Sequence, residues 1–164
     1  TDLDEIIRTS VRKYARQFIA KKISLSYEPV ETTVITDKKW LSFVIEQVIS
    51  NAVKYTKTGG IKIYLEDGDG TMSVPVQKAS HRKEDDGENS GMKSVRLVIE
   101  DTGIGIRAED LPRICEMGYT GCNGHEGQHS SGIGLYLCSR ILKKLGHTFS
   151  ITSKEGVGTV VKIG

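Results

Sequence analysis

Two glycine pairs, each placed where a regular element meets a loop, constrain this chain of 164 residues more than any other feature. The first pair lies in the stretch Asp101 to Gly105, directly after a strand-like run from Val95 to Glu100. The second lies in Ser130 to Leu135 and opens a helix-like run from Leu135 to Leu145. Glycine lets the backbone come close to a ligand, and the free amides at a helix start attract phosphate.

The acid beside the first pair indicates what lies at that end of the pocket. A carboxylate at Asp101 repels phosphate, but it can accept a hydrogen bond from an exocyclic amino group such as that of adenine. It would reject guanine, which presents an acceptor there. We therefore expect a base beside Gly103 and Gly105 and phosphates beside Gly132 and Gly134. The alternative is an ordinary turn with Asp101 as its cap.

A third element is a periodic helix that begins near Asp37. Its apolar stripe consists of Leu41, Val44, Ile45, Val48 and Ala52. Gln47, Asn51, Lys54 and Tyr55 fall on a separate face of the same helix. Asn51 offers a neutral oxygen to Mg²⁺, Lys54 can neutralise phosphate charge, and Tyr55 can stack on a base. The alternative is a solvated polar face, with Lys54 a surface cation and Tyr55 a core aromatic.

Four segments together resemble the ATP-binding fold shared by bacterial sensor histidine kinases, gyrase-type ATPases and chaperone ATPases. Asn51 to Thr56 is similar to the N box, Glu100 to Ile106 to the G1 box, and Ser131 to Leu137 to the G2 box. Gly156 to Thr159 resembles the glycine turn that closes the fold. The resemblance covers nearly the whole chain. It implies a two-layer α/β sandwich in which a mixed sheet carries helices on one face.

The resemblance also implies site residues. The catalytic set is Gln47, Asn51 and Lys54, with Asn51 as the Mg²⁺ ligand; the ATP-binding set is Asn51, Lys54, Tyr55, Asp101, Gly103, Gly105, Gly132, Ile133, Gly134, Leu135 and Thr159. Thr159 supports the adenine contact. Gln47 stands where gyrase-type ATPases carry a glutamate that activates water, and an amide cannot act as a base. Transfer to a better nucleophile than water is therefore favoured.

An ATP lid is expected over residues 117–131. Its candidate contacts are Tyr119, Thr120, His125, Gln128 and His129. The stretch from Tyr119 to His129 contains no lysine or arginine. Cys115, Cys122, His125 and His129 are also an alternative zinc set, although their spacing is not a common zinc pattern.

The implied reaction is transfer of the ATP γ-phosphate to a histidine on a separate dimerisation domain. None of the four histidines here (His81, His125, His129 and His147) stands in the sequence context of the family's acceptor helix. The implied partners are that acceptor domain and a cognate response regulator, and the implied parent is a homodimer in the cell membrane with this domain in the cytoplasm. Lys39 to Val44 and Gly118 to Gly121 resemble small Gram-positive sensor kinases paired with peptide-antibiotic transporters. The alternatives are a serine kinase of the anti-sigma-factor type and a non-catalytic nucleotide-binding signalling module.

Composition agrees with one soluble, monomeric domain over residues 1–164. A net charge of +2 gives no reason to expect nucleic-acid binding, and no apolar run reaches the roughly 20 residues of a membrane span. Three cysteines without a Cys-x-x-Cys pair indicate a reducing compartment.

The remaining pattern predicts a first helix over Asp2–Ala20, a short helix over Ala108–Cys115 and a polar insertion over residues 67–94. The predicted strands are Ile23–Tyr27, Thr33–Thr36, Ile61–Glu66, Val95–Glu100, His147–Ser153 and Thr159–Ile163.

Overall fold

The computed structural model describes residues 1–68, 94–116 and 133–164. In chain order the elements are α1 (Leu3–Lys13), α2 (Ala15–Lys21), β1 (Ser24–Tyr27), α3 (Lys38–Tyr55), β2 (Gly60–Asp67), β3 (Val95–Asp101), a 3₁₀ turn (Leu111–Arg113), α4 (Gly134–Leu145), β4 (Phe149–Lys154) and β5 (Gly158–Ile163). The strands form one sheet in the order β1-β2-β3-β5-β4. β1 and β2 are parallel and every other pair is antiparallel, so the sheet is mixed.

The core lies between the helices and one face of this sheet. Alternate residues of the strands supply the inner face: Ile61, Ile63 and Leu65 from β2, Leu97 and Ile99 from β3, and Val161 and Ile163 from β5. They join buried residues of α1, α3 and α4 in a single cluster. The predicted two-layer α/β sandwich with helices on one face is thereby confirmed.

The longest helix, α3, forms as its sequence predicts. The Asp37 side chain accepts a hydrogen bond from the Trp40 amide at 3.0 Å and caps the helix start. All five residues of the predicted apolar stripe are buried. The helix ends at Tyr55, four residues before Gly59, because Thr56 takes an extended conformation.

Two predictions for the first third of the chain are wrong. The helix expected over Asp2–Ala20 is divided at Tyr14, whose φ of −102° and ψ of 7° leave the helical region, into α1 and α2. The strand expected over Thr33–Thr36 does not form, and only an isolated bridge joins Thr33 to Asp2. A strand needs a neighbour several residues long, whereas the chain beside Thr33 turns directly into α1.

Two other boundaries also differ. The helix expected over Ala108–Cys115 is reduced to the 3₁₀ turn, where Pro112 stands within the first turn and donates no backbone hydrogen bond. The strand expected from His147 begins at Phe149. The His147 ring instead contacts the Gly164 carbonyl and the Thr36 hydroxyl at 3.1 and 2.9 Å. α4 ends at Leu145, as the predicted run does, and Gly146 at its C-cap has a φ of +79°.

Candidate functional site

Asp101 lies at the end of β3, opposite Thr159 of β5 in the strand register. Its carboxylate accepts a hydrogen bond from the Gly103 amide at 2.9 Å. Burial raises the pKa of Asp101, hydrogen bonds from the Gly103 and Thr159 amides lower it, and the neighbouring Glu100 raises it again. The net pKa is above the ordinary value of 3.8. The carboxylate is thus partly removed from water but retains acceptor capacity for another donor.

The loop after Asp101 is held against the end of α3. The Ile104 amide donates to the Tyr55 carbonyl at 3.1 Å. A β-carbon on Gly103 would lie 2.6 Å from that same carbonyl oxygen and 2.9 Å from Oδ1 of Asp101. A side chain at position 103 would therefore force the loop away from α3, which is the close approach that the sequence predicts.

Thr159 is fixed on the other side of Asp101 by a hydroxyl pair. Its Oγ1 lies 2.8 Å from Oγ of Ser153, which also contacts the Gly158 carbonyl at 2.9 Å. The Ile106 amide donates to the same Ser153 hydroxyl at 2.8 Å. Ser153 therefore ties β4, β5 and the loop after β3 together beneath the candidate base site. Its role is absent from the sequence interpretation, because a lone serine in a strand carries no signal.

The start of α4 forms the other end of the candidate site. A β-carbon on Gly134 would lie 2.8 Å from Oε1 of Gln47, so the first turn of α4 rests directly against α3. Ile133 at the N-cap provides no side-chain hydrogen bond to the first amides of the helix, and 43% of its surface is exposed. Leu135 is half-buried. Free amides in a first turn favour an anion.

Helix α3 runs between the Asp101 end and the α4 end of the candidate site. Gln47 at the α4 end and Tyr55 at the Asp101 end are eight residues apart, which corresponds to about 12 Å along the helix axis. Asn51 lies halfway between them and is half-buried. Lys54 places its ammonium 5.2 Å from the centre of the Tyr55 ring. The arrangement can hold an extended ligand with a base at one end and an anionic chain at the other.

One buried hydroxyl gives an independent test of whether a polar ligand fits. Thr56 is 0% exposed, and its Oγ1 is the only buried side-chain oxygen or nitrogen without a partner among the described residues. The same Oγ1 would lie 3.0 Å from a β-carbon on Gly103, beside the Asp101 carboxylate. An unpaired buried hydroxyl is costly unless a ligand or water satisfies it. The polar groups at this end therefore fit an adenine-type base. Thr56 is the last residue of the N-box resemblance, but nothing in the sequence indicates that its hydroxyl would be buried beside Asp101 without a partner in the described part of the chain.

Several predicted site residues lie outside the described residues. They are Gly132 of the second glycine pair and Tyr119, Thr120, His125, Gln128 and His129 of the expected lid. The zinc alternative lies there as well, except for Cys115. Within residues 1–68, 94–116 and 133–164, no group of three or more His, Cys, Asp or Glu residues could hold a metal ion.

A comparison with protein families agrees with this geometry. Residues 36–164 match the family described as histidine kinase-, DNA gyrase B-, and HSP90-like ATPase. The sensor histidine kinase YxdK of Bacillus subtilis is 33% identical over 164 residues, which cover 98% of this chain and 43% of that protein. The sensor protein kinase GraS of Staphylococcus aureus is 34% identical over 134 residues, which cover 82% of this chain and 32% of that protein.

Solved structures share the fold. Full-length ShkA, solved in complex with AMPPNP, superposes with a TM-score of 0.72 at 20% identity, covering 99% of this chain and 29% of ShkA. The nucleotide-free catalytic domain of the histidine kinase ThkA gives a TM-score of 0.71 at 20% identity, covering 99% of this chain and 91% of that domain. The chain spans less than half the length of the curated sensor kinases that it matches.

Proposed function

The chain belongs to the histidine kinase-, DNA gyrase B- and HSP90-like ATPase family, and from this premise we propose that it is the ATP-binding catalytic domain of a sensor histidine kinase. The observation that carries the proposal is the placement of Asp101 and the start of α4 at opposite ends of one face of α3. Adenine would be held at Asp101, and the phosphates would extend along α3 toward Gly134.

The roles of the site residues follow from their chemistry. Ionised Asp101 accepts from the adenine amino group, with Thr159 beside it on β5. The first amides of α4, from Ile133 to Leu135, face the phosphates. Lys54 neutralises phosphate charge, and Tyr55 stacks on the base.

Asn51 is the proposed Mg²⁺ ligand. It lies halfway between the base end and the phosphate end of α3 and outside the buried stripe. This position supports the proposal that its amide oxygen would lie near the phosphates. Bound Mg²⁺ would neutralise charge on the outer phosphates and keep several of its waters. The residue fits the ion because Mg²⁺ takes oxygen ligands, and one amide oxygen would occupy a single coordination position and leave the others to phosphate and water.

Gln47 determines the choice of acceptor. Its Oε1 faces the first turn of α4, where the phosphates would end, and an amide there cannot remove a proton from water. Hydrolysis is therefore slow, and transfer to an imidazole of another domain is favoured. The proposed acceptor is a histidine on the dimerisation domain of the same kinase, followed by transfer to a response regulator.

The proposals about the larger protein, its membrane location and its signal are based on the relatives of this chain. We propose that residues 1–164 are one catalytic domain, that it lies on the cytoplasmic side of a membrane-bound, homodimeric sensor, and that this sensor responds to peptide antibiotics. Its insertion would span residues 67–94 and its lid residues 117–131. No helix among the described parts of the chain has the length and apolar character needed to cross a bilayer.

Transfer in trans is the direct test. The chain is mixed with radiolabelled ATP, Mg²⁺ and the separately purified acceptor domain of the parent gene, and acid-labile label on that domain is followed. We expect label on the wild-type acceptor domain and none when its histidine is replaced by glutamine. Label on serine, stable to acid, would instead identify a serine kinase, and ATP binding without any transfer would identify a non-catalytic module.

Asn51→Ala tests the metal site. The substitution removes the proposed Mg²⁺ ligand without touching the core, so we expect the gain in ATP affinity on adding Mg²⁺ to fall by about tenfold. Ser50→Ala is the matched control, because Ser50 is the neighbouring half-buried polar residue on α3 and has no proposed ligand role. Calorimetric titrations with Mg²⁺ and with EDTA measure the difference. An unchanged metal dependence in Asn51→Ala would remove Asn51 from the site.

A further inference from the structure

Lys21, the last residue of α2, lies outside the segment that matches the family and outside every motif of the sequence. Its ammonium reaches the end of α3. Nζ donates to the carbonyl oxygens of Val53 at 2.6 Å, Lys54 at 3.1 Å and Thr56 at 3.3 Å. An ammonium group has three donors, and here all of them are directed at a single turn of backbone.

The end of a helix is where a cation has most effect. The last carbonyls of α3 have no amide of their own helix to bind, and they carry the negative end of its dipole. Burial lowers the pKa of Lys21, and the neighbouring Lys57 lowers it further. The three carbonyl acceptors therefore offset only part of the desolvation cost of holding the cation at this place.

The segment that Lys21 holds is also the segment that supports the base site. The Tyr55 carbonyl, between two of the carbonyls bound by Lys21, accepts the Ile104 amide of the loop after Asp101. The Thr56 carbonyl accepts a hydrogen bond from Lys21, and the buried Thr56 hydroxyl lies beside Gly103 and Asp101. A displacement of this turn would therefore move the loop that carries the adenine contacts.

We propose that Lys21 is a positioning residue for nucleotide binding: it fixes the last turn of α3, and through Tyr55 and Thr56 the loop from Asp101 to Gly105, in the conformation that accepts adenine. It touches no nucleotide itself. The inference rests on the proposed ATP-binding function, and it makes α2 part of the structure that sets nucleotide affinity.

The test compares two substitutions of Lys21 with two controls. Lys21→Met keeps the length of the side chain and removes all its donors, whereas Lys21→Arg keeps the charge and the donors. Lys22→Met removes a positive charge from the next residue, which is exposed, and so controls for the general attraction of phosphate. Phe18→Leu weakens the packing of α2 in the core while leaving the Lys21 ammonium and its three donors in place, and so controls for loss of stability alone.

Affinity for Mg-ADP is measured by calorimetry and stability by urea unfolding, for all five proteins. We expect Lys21→Met to raise the Kd about tenfold, and Lys21→Arg, Lys22→Met and Phe18→Leu to stay within about twofold of the parent. If Lys21→Met does not fold, Lys21→Gln, which keeps two donors, takes its place with a smaller expected loss of roughly threefold.

The outcomes distinguish a wrong role for Lys21 from a wrong assignment of ATP binding. A parent chain that binds no adenine nucleotide would refute the proposed function itself. A parent that binds, with a folded Lys21→Met (or Lys21→Gln) variant of equal affinity, would overturn the role of Lys21 alone. An affinity loss in Phe18→Leu equal to that in Lys21→Met would also overturn it, because stability would then explain both.

Discussion

Asp101 meets two opposing demands at the scale of a single residue. Partial burial makes the charged form of Asp101 costly to fold, whereas the proposed adenine contact requires an ionised acceptor. The Gly103 and Thr159 amides offset part of the cost of the charge, yet the pKa remains raised. A residue whose charge costs stability at neutral pH is best explained by a ligand that uses the charge.

Asp101→Asn should therefore separate binding from stability. The amide places a donor against the adenine amino group in one orientation and loses the charge in the other, so we expect the Kd for Mg-ADP to rise about ten- to a hundredfold. Glu100→Gln is the matched control, because it removes a carboxylate from the adjacent residue on the opposite face of β3 and should change the Kd by less than about threefold. Equal losses in the two variants would mean that long-range charge, and not the adenine contact, accounts for the effect.

The raised pKa of Asp101 also fixes the sign of a pH effect on stability. The folded state binds the proton more tightly than the unfolded chain, whose pKa is the ordinary 3.8. Protonated Asp101 thus favours folding, and this contribution is lost as pH rises from 3.8 through the folded-state pKa. The stability of Asp101→Asn relative to the parent should increase between about pH 4 and pH 7. Urea unfolding at both values measures it, and a relative stability that falls over this interval would contradict the assignment.

Thr56→Val tests the other polar group at the base end of the site, the buried hydroxyl near Asp101. Valine has nearly the same shape, and it removes a buried hydroxyl that has no partner within the described chain. We expect the nucleotide-free domain to become more stable by about 1 kcal/mol and the Kd for Mg-ADP to rise severalfold. Thr58→Val, at an exposed position after α3, should change neither quantity. Unaltered affinity in Thr56→Val would show that the hydroxyl takes no part in binding.

At the scale of elements, the loop after β3 and the turn between β4 and β5 pack against each other. The Gly156 amide donates to the Ile104 carbonyl at 2.8 Å. Gly105 and Gly156 both have positive φ, +70° and +76°, but only Gly105 is crowded. A β-carbon on Gly105 would clash with the Lys154 carbonyl, whereas no atom of the described residues lies within 4 Å of a β-carbon on Gly156.

These two glycines form a matched pair for a packing test. Gly156→Ala should cost only the conformational penalty of a left-handed residue, about 1–2 kcal/mol. Gly105→Ala adds the clash, so we expect a further loss of about 1–3 kcal/mol and weaker nucleotide binding as the loop shifts. Urea unfolding and calorimetry on both variants provide the comparison. Equal costs would indicate that the loop after Asp101 yields easily and does not depend on the β4–β5 turn.

The elements also show what could be predicted from sequence and why the rest could not. α3 was predictable because its cap, its apolar period and its length agree. β2 was predictable because apolar and polar residues alternate along it, and β3 and β5 because each is a short run rich in β-branched residues. The missing strand at Thr33–Thr36 depends on a neighbour distant in the chain, because the segment beside Thr33 is Asp2, where α1 begins. The break at Tyr14 has no glycine or proline near it that would mark it in the sequence. The same limit applies to the site. Asp101 and the glycines carry local patterns, but the burial of Thr56 and the reach of Lys21 exist only once α2, α3 and β3 have packed.

At the scale of the whole molecule, the candidate site lies at the edge of the core. The buried cluster joins α1, α3 and α4 to the inner face of the sheet, whereas Asp101, Asn51 and Gly134 are only half-buried. Binding should consequently add to a fold that already exists. A ligand that binds only the folded state then stabilises the domain in proportion to the logarithm of its concentration.

The rise in Tm of the whole domain with different nucleotides tests the candidate site. At about a hundredfold excess over its Kd, Mg-ADP should stabilise the domain by about 2.7 kcal/mol. For a chain of this size, that corresponds to a rise in Tm of roughly 5–11 °C. Mg-GDP at the same concentration should give a much smaller shift, because guanine presents a carbonyl where Asp101 needs a donor. Asp101→Asn is the control, since it should lose most of the response to Mg-ADP. Equal shifts with Mg-ADP and Mg-GDP in the parent would mean that the phosphates alone account for binding, and would remove Asp101 from the base site.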